Sequence, residues 1–223
     1  VTDERDAGSG APVQSRQAGS DLHELPDEKL MEVVVAGDTA AFDVLVARHK
    51  GRLYSYLLRL VRDPSEAEDI AQEAFVRAYV HADKYRNIAK FSTWLYTIAT
   101  NLVRNRIRKT KSTPRLLSLQ GGRGDDDQDE PIDLPDPGDR PDRAHEKKEL
   151  EAQVAAGIAK IPARYREAFV LREVNHFSYE EIAAITGLKL GTVRSRINRG
   201  RGHFREAMEP LLRRRPARGD DGL

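Results

Sequence analysis

The sequence predicts an all-α protein made of two small helical domains joined by a flexible acidic linker. Apolar residues recur at helical spacing through two blocks, and no alternating strand pattern or internal repeat occurs. Between residues 112 and 142 the periodicity collapses into a Gly-, Pro- and Asp-rich stretch that sustains neither helix nor strand. The 223 residues, 33% charged and 39% hydrophobic, suit such a helical protein.

Residues 1–25 hold too little apolar surface to fold and read as a disordered tail. A first domain follows over residues 26–111. Gly37-Asp38 separates a short helix from a long one, and Asp63-Pro64-Ser65-Glu66 supplies an N-cap, a proline at the first helical position and an acid in the first turn. On the helix that follows, Ile70, Ala71, Ala74, Phe75 and Ala78 form the core face, leaving Asp69, Gln72, Glu73 and Val76 on another side. A break at Asn87 to Ser92 precedes the fourth helix, whose Leu95, Ile98, Ala99 and Leu102 share one face. Thr97, Asn101, Arg104 and Arg108, spaced by four, three and four, share the other.

Six basic residues and no acid lie between Arg104 and Arg115, whereas the linker from Gly124 to Asp142 carries nine acids and one arginine. The formal net charge of +1 therefore conceals strong segregation. The second domain spans residues 143–213. Leu150, Val154, Ile158 and Ile161 form an apolar stripe, Pro162 opens a helix carrying Tyr165, Phe169, Val170 and Leu171, and residues 214–223 form a second tail.

Within this domain SYEEIAAITGLKLGTVRSRINRGRGHF reads as a helix-turn-helix. Ser178 with Glu181 makes a capping box, and Gly187 supplies the left-handed residue that ends the first helix. On the second helix Val193, Ile197, Gly200, Phe204 and Met208 fall on one narrow stripe, with Ser195, Asn198, Arg199 and Gly202 opposite and Arg194, Arg196 and Arg201 on the flanks. A surface hairpin would mix both signs of charge. From Lys189 to Arg218 there are instead ten basic residues and two acids, which favours DNA. Tyr85, Phe91, Trp94 and Tyr96 crowd the loop before the basic fourth helix, a combination suited to unstacked bases.

Catalytic and metal chemistry find no footing. With no cysteine, disulfides, thiolate catalysis and cysteine-ligated zinc are excluded. The six histidines lack metal-ligand spacing, and no phosphate-cradling glycine loop or nucleophile elbow occurs, so no catalytic residue, metal or cofactor is expected. No apolar run reaches membrane-spanning length and the N-terminus lacks a signal-peptide core, which predicts a cytoplasmic protein without membrane insertion.

DIAQEAFVRAY, FSTWLYTIATNLVRNRIRK and IPARYREAFVLREVNHFSYEEIAAITGLKLGTVRSRINRGR, separated by an acidic linker, together resemble bacterial RNA polymerase sigma factors of the extracytoplasmic-function group. The resemblance implies region two and region four, and partners in core RNA polymerase, promoter DNA and, as a further candidate, an anti-sigma factor. It implies that Asp69, Gln72, Glu73 and Phe75 dock on the polymerase. It assigns the minus-ten element to Asn87, Ile88, Ala89, Lys90 and Phe91 of a base-capturing loop, with Trp94, Thr97, Asn101, Arg104 and Arg108 beside it. The minus-thirty-five element falls to Thr192, Arg194, Ser195, Arg196, Asn198 and Arg199. Two positions depart from the family's usual pattern: Asn105 replaces an acid, and Lys189 stands where a small N-cap residue is common. The competing reading is a helix-turn-helix regulator with an N-terminal sensing domain, which would need an α/β receiver or an apolar cavity in the first half. The first half shows neither pattern.

Overall fold

A computed structural model describes residues 22–86, 88–112 and 141–214, and all regular structure among them is helical. The linker and the C-terminal tail lie outside the described residues, apart from the helix turns at their edges. The N-terminal boundary moves: residues 22–24 already form a helical turn, and Arg48 donates to the carbonyls of His23 at 2.7 Å and Leu25 at 2.8 Å.

The first domain contains α1 (Asp27–Val35), α2 (Thr39–Val61), α3 (Pro64–Val80), a 3₁₀ turn (Ala82–Lys84) and α4 (Phe91–Ser112). The N-cap at Asp63 sits where the sequence places it, and the break at Gly37-Asp38 supplies a second cap. Asp38 accepts from the Ala40 amide at 2.9 Å and Asp63 from the Glu66 amide at 2.8 Å, each satisfying an amide that the helix start leaves orphaned. Gly37, at φ 107°, makes the turn between α1 and α2 that a Cβ would strain. Leu30, Met31, Leu45, Leu53, Leu57, Ile70 and Leu95 are fully buried between these helices.

The second domain contains α5 (Pro141–Lys160), α6 (Ala163–Glu173), α7 (Tyr179–Thr186) and α8 (Leu190–Arg214). The apolar stripe running along α5 and just past it is used only toward its end: Ile158 and Ile161 are buried whereas Leu150 is exposed. Arg166 closes the end of α5 from within. Its guanidinium is buried, yet it donates to the carbonyls of Ile158, Ala159 and Ile161 at 2.7–3.2 Å, so no donor is stranded. The capping box at Ser178 and Glu181 is complete, and Gly187 adopts φ 66°.

Helices α6 and α8 cross where Gly200 meets Phe169. A Cβ at Gly200 would lie 2.8 Å from the Phe169 Cβ, whereas one at Gly202 meets nothing within 4 Å. Gly200→Ala is therefore expected to destabilise the second domain by about 1–2 kcal/mol, because overpacking outweighs the helix propensity gained. Gly202→Ala, which gains that propensity without a clash, is expected to stabilise it by up to about 1 kcal/mol. Thermal unfolding followed by circular dichroism checks both signs. Equal shifts in the two variants would show that the Phe169 contact does not limit packing.

Candidate nucleic-acid interface

Packing fixes which side of α8 is available. Val193 and Ile197 are fully buried, so the helix presents Arg194, Ser195, Asn198 and Arg199 to solvent, with Thr192 and Arg196 half-buried at the margins. Two tyrosines on the neighbouring helices steady the long cations. The Arg199 guanidinium stands 5.8 Å above the Tyr165 ring and donates to its hydroxyl at 3.1 Å, a bond that draws this phenol below its usual pKa. Arg194 lies 5.9 Å over the Tyr179 ring. Arg201 is held differently, by Glu173 at 2.7 Å. Lys189 provides no small side chain at the start of α8, but its carbonyl accepts from the amides of Thr192 and Val193 at 2.8 and 3.0 Å.

The loop before α4 is built on aromatic rings. Tyr85 lies 5.3 Å from Trp94 and 6.3 Å from Phe91, and His49 lies 5.3 Å from Phe91. Burial, reinforced by the charges of Glu28 and Asp27, raises the Tyr85 pKa to about 12, so its hydroxyl keeps the proton that it donates to the Ala89 carbonyl at 2.9 Å. Ile88 stands at the tip, 90% exposed, with Ala89 and Lys90 also exposed. Asn87 lies outside the described residues. Beyond the loop Asn101 and Arg108 are exposed, Trp94 and Thr97 half-buried, and Asn105 accepts a hydrogen bond from Arg108.

Phe91 requires a correction. It is fully buried and belongs to the core beneath the loop, so it supports the surface without forming part of it. Tyr96, expected among the rings around the loop, is likewise buried and faces the second domain, with the Phe177 ring 4.8 Å away.

The outer side of α3 differs in kind. Asp69 and Gln72 are exposed and Glu73 half-buried, next to Val76, Tyr79 and Val80, of which Val76 is 60% and Val80 63% exposed. Arg77 pairs with Glu73 at 2.6 Å, and Arg106 of α4 reaches both Glu73 and Asp69 at 3.7 Å. Phe75 is the second correction: it is buried with its ring 6.4 Å from Phe42, on the core face that its helical spacing gives it. Tyr79, whose ring lies 5.1 Å from Phe42 yet is 45% exposed, and Val80 are apolar neighbours that the sequence does not single out, because periodicity alone does not show how much of an apolar side chain stays uncovered.

Among the described residues no cluster of His, Asp or Glu is arranged to hold a metal, and no helix is long and apolar enough to cross a membrane. Residues 45–113 match sigma-70 region 2 and residues 152–204 match sigma-70, region 4. Over 189 residues the chain is 37% identical to the RNA polymerase sigma-H factor of Pseudomonas aeruginosa, covering 84% of this chain and 96% of that one. It is 38% identical to the ECF RNA polymerase sigma factor SigW of Bacillus subtilis, covering 84% of this chain and all of that one. The chain belongs to the extracytoplasmic-function sigma factors. It is a transcription initiation factor that binds core RNA polymerase and directs it to promoters. This sigma factor is also similar to the ECF RNA polymerase sigma-E factor of Escherichia coli strain K12, at 38% identity over 86% of this chain and 98% of that one. Its fold matches CnrH, solved in complex with the cytosolic domain of CnrY, at a TM-score of 0.59 and 25% identity over 82% of this chain and 97% of that one. It also matches RpoE of Bartonella quintana, solved with the anti-sigma factor NepR, at a TM-score of 0.55 and 23% identity over 75% of this chain and 96% of that one.

Proposed function

We propose that this sigma factor reads the minus-thirty-five element with α8, captures and reads minus-ten bases with the loop from Asn87 to Lys90 and α4, and docks on core polymerase through α3. The exposed face of Arg194, Ser195, Asn198 and Arg199 carries the reading, since it is a polar and basic surface backed by the buried Val193 and Ile197 on the same helix. Thr192 and Arg196 lie at its margins. On the first domain the exposed loop residues Ile88, Ala89 and Lys90, together with Asn87, and the row Trp94, Thr97, Asn101, Arg104 and Arg108 form the strand-binding side. Asp69, Gln72 and Glu73, joined by Val76, Tyr79 and Val80, form the polymerase-facing side. The protein works in the cytoplasm and contributes specificity without bond-making chemistry. An anti-sigma factor is a further proposed partner, supported by the likeness to CnrH, which was solved with the cytosolic domain of CnrY.

Arginine addresses a guanine edge through two hydrogen bonds that discriminate against a wrong base by about 1–3 kcal/mol. Arg194→Ala and Arg199→Ala are therefore expected to weaken upstream-element recognition, measured as holoenzyme binding to a panel of altered sites at two salt concentrations. Loss of preference at one position marks a base reader. Uniform weakening with a salt slope lowered by about one marks a phosphate contact. Wild-type affinity and preference in both variants would remove α8 from the reading role.

A further inference from the structure

Two of the cations assigned to minus-ten DNA are already occupied, and both counter-ions come from the second domain. Arg104 Nη2 lies 2.7 Å from Glu167 Oε2 of α6, while its Nη1 donates to the Thr186 carbonyl at the end of α7 at 2.8 Å. Lys90 Nζ, in the loop before α4, lies 3.0 Å from Glu181 Oε1 of α7. Between these two points Tyr96 is buried against Phe177, and Asn175 donates to the Tyr96 hydroxyl at 3.0 Å. A further link joins the domains where Arg62 donates to the Ala159 carbonyl.

The chemistry of this seam is that of a reversible contact. Its ion pairs are partly solvated, with Lys90 70% and Arg104 40% exposed at the side chain, so each contributes little and both weaken with salt. The Asn175 side-chain amide oxygen, Oδ1, is buried beside the seam without a hydrogen-bond partner, a group that regains water when the domains part. Carboxylates resemble phosphates in charge and in accepting two parallel bonds from a guanidinium. Glu167 and Glu181 therefore occupy the positions at Arg104 and Lys90 that a DNA strand would need.

We infer that the two domains form a self-masking clasp, in which Glu167 and Glu181 of region four stand in for DNA phosphates on Arg104 and Lys90 of region two. The free protein must then part its domains before α4 receives a single strand, while the α8 face stays exposed in the closed form. This inference rests on the assignment of α4 to the minus-ten strand.

The full chain supplies its own test, since it has no cysteine and accepts dyes at single introduced thiols. Asp43→Cys on α2 and Ala155→Cys on α5, both exposed positions, report the domain separation by single-molecule energy transfer. Glu167→Gln with Glu181→Gln removes both charges. Glutamine at residue 181 keeps the capping box that Ser178 makes with this side chain, so α7 retains its start. The expected result is a shift of the dye distribution toward larger separation and a gain of about three- to tenfold in affinity for a single-stranded minus-ten oligonucleotide, the size expected from two half-exposed ion pairs. An unchanged separation overturns the clasp. Greater separation without tighter strand binding overturns masking. Adding Lys90→Ala and Arg104→Ala to the opened variant separates the two ideas: loss of the oligonucleotide upholds the minus-ten assignment, and retained binding refutes it together with the masking.

Discussion

Charge reversal at Asp69 and Glu73 is expected to cost this sigma factor its hold on core polymerase. Both acids lie on the outer side of α3, flanked by the exposed apolar side chains of Val76, Tyr79 and Val80, so their loss strikes a surface with an apolar centre and a charged margin. Truncating or reversing one partner of a charge pair that becomes buried in an interface costs about 2–5 kcal/mol, and a double reversal is expected to weaken binding by a factor of at least about 100. Because Arg106 approaches both acids and Arg77 binds Glu73, the variant also places like charges side by side. Asp69→Asn with Glu73→Gln is the milder control that removes attraction without adding repulsion. Fluorescence anisotropy of labelled protein with core polymerase measures the effect, with circular dichroism confirming unchanged helix content. Undiminished affinity in the reversed variant would place the docking surface elsewhere.

The second large effect is expected in promoter opening. A flipped base exposes edges and a π face that duplex hides, and holding it offsets part of the few kcal/mol lost on unstacking. Ala89 of the proposed base-capturing loop is braced by the Tyr85 hydroxyl on its carbonyl, and Asn101 stands exposed on the helix beyond. Asn101→Ala, and separately a shortened loop, are expected to leave closed-complex formation on duplex DNA intact. Permanganate-detected opening should fall by about tenfold or more, as loss of a bond worth about 1–3 kcal/mol predicts. A pre-melted bubble template should partly restore transcription. Equal loss on duplex and bubble would point to a folding or docking role, and normal opening by both variants would end the base-capture assignment. Tyr85→Phe is an informative companion, since it deletes only the hydroxyl that braces the loop.

The helix-turn-helix was legible in the sequence because every device that builds it is local. The capping box spans four residues, Gly187 marks its own turn, and the stripe from Val193 to Phe204 needs only helical geometry to be seen. The cap at Asp63 and the helix break at Gly37-Asp38 were legible for the same reason. Phe75 and Phe91 show where motif matching and packing part company: each sits within a functional stretch of sequence, yet each side chain points into the core. For Phe75 the helical spacing had already indicated the core face. The seam between the domains was not legible at all. Its bonds join residues 63, 79, 82 and 97 positions apart, and neither Glu167 nor Asn175 carries a local pattern that betrays its partner. Arg166 belongs with them, since nothing in its neighbourhood distinguishes a buried cap from another surface arginine.

Helix α8 also has an evolutionary reading. The positions proposed to face DNA, Arg194, Ser195, Asn198 and Arg199, are exposed, while Val193, Ile197 and Gly200 hold the helix in place from the other side. Exchanges at exposed positions usually shift stability by no more than about 0.5 kcal/mol, whereas exchanges on the packed side are felt by the whole domain. Promoter preference can therefore drift along one side of this helix with the fold as a silent bystander. Duplicated copies of such a gene could diverge to different regulons through a handful of neutral-in-stability steps, and the same partition makes residues 194, 195, 198 and 199 a compact cassette for redirecting the factor by design.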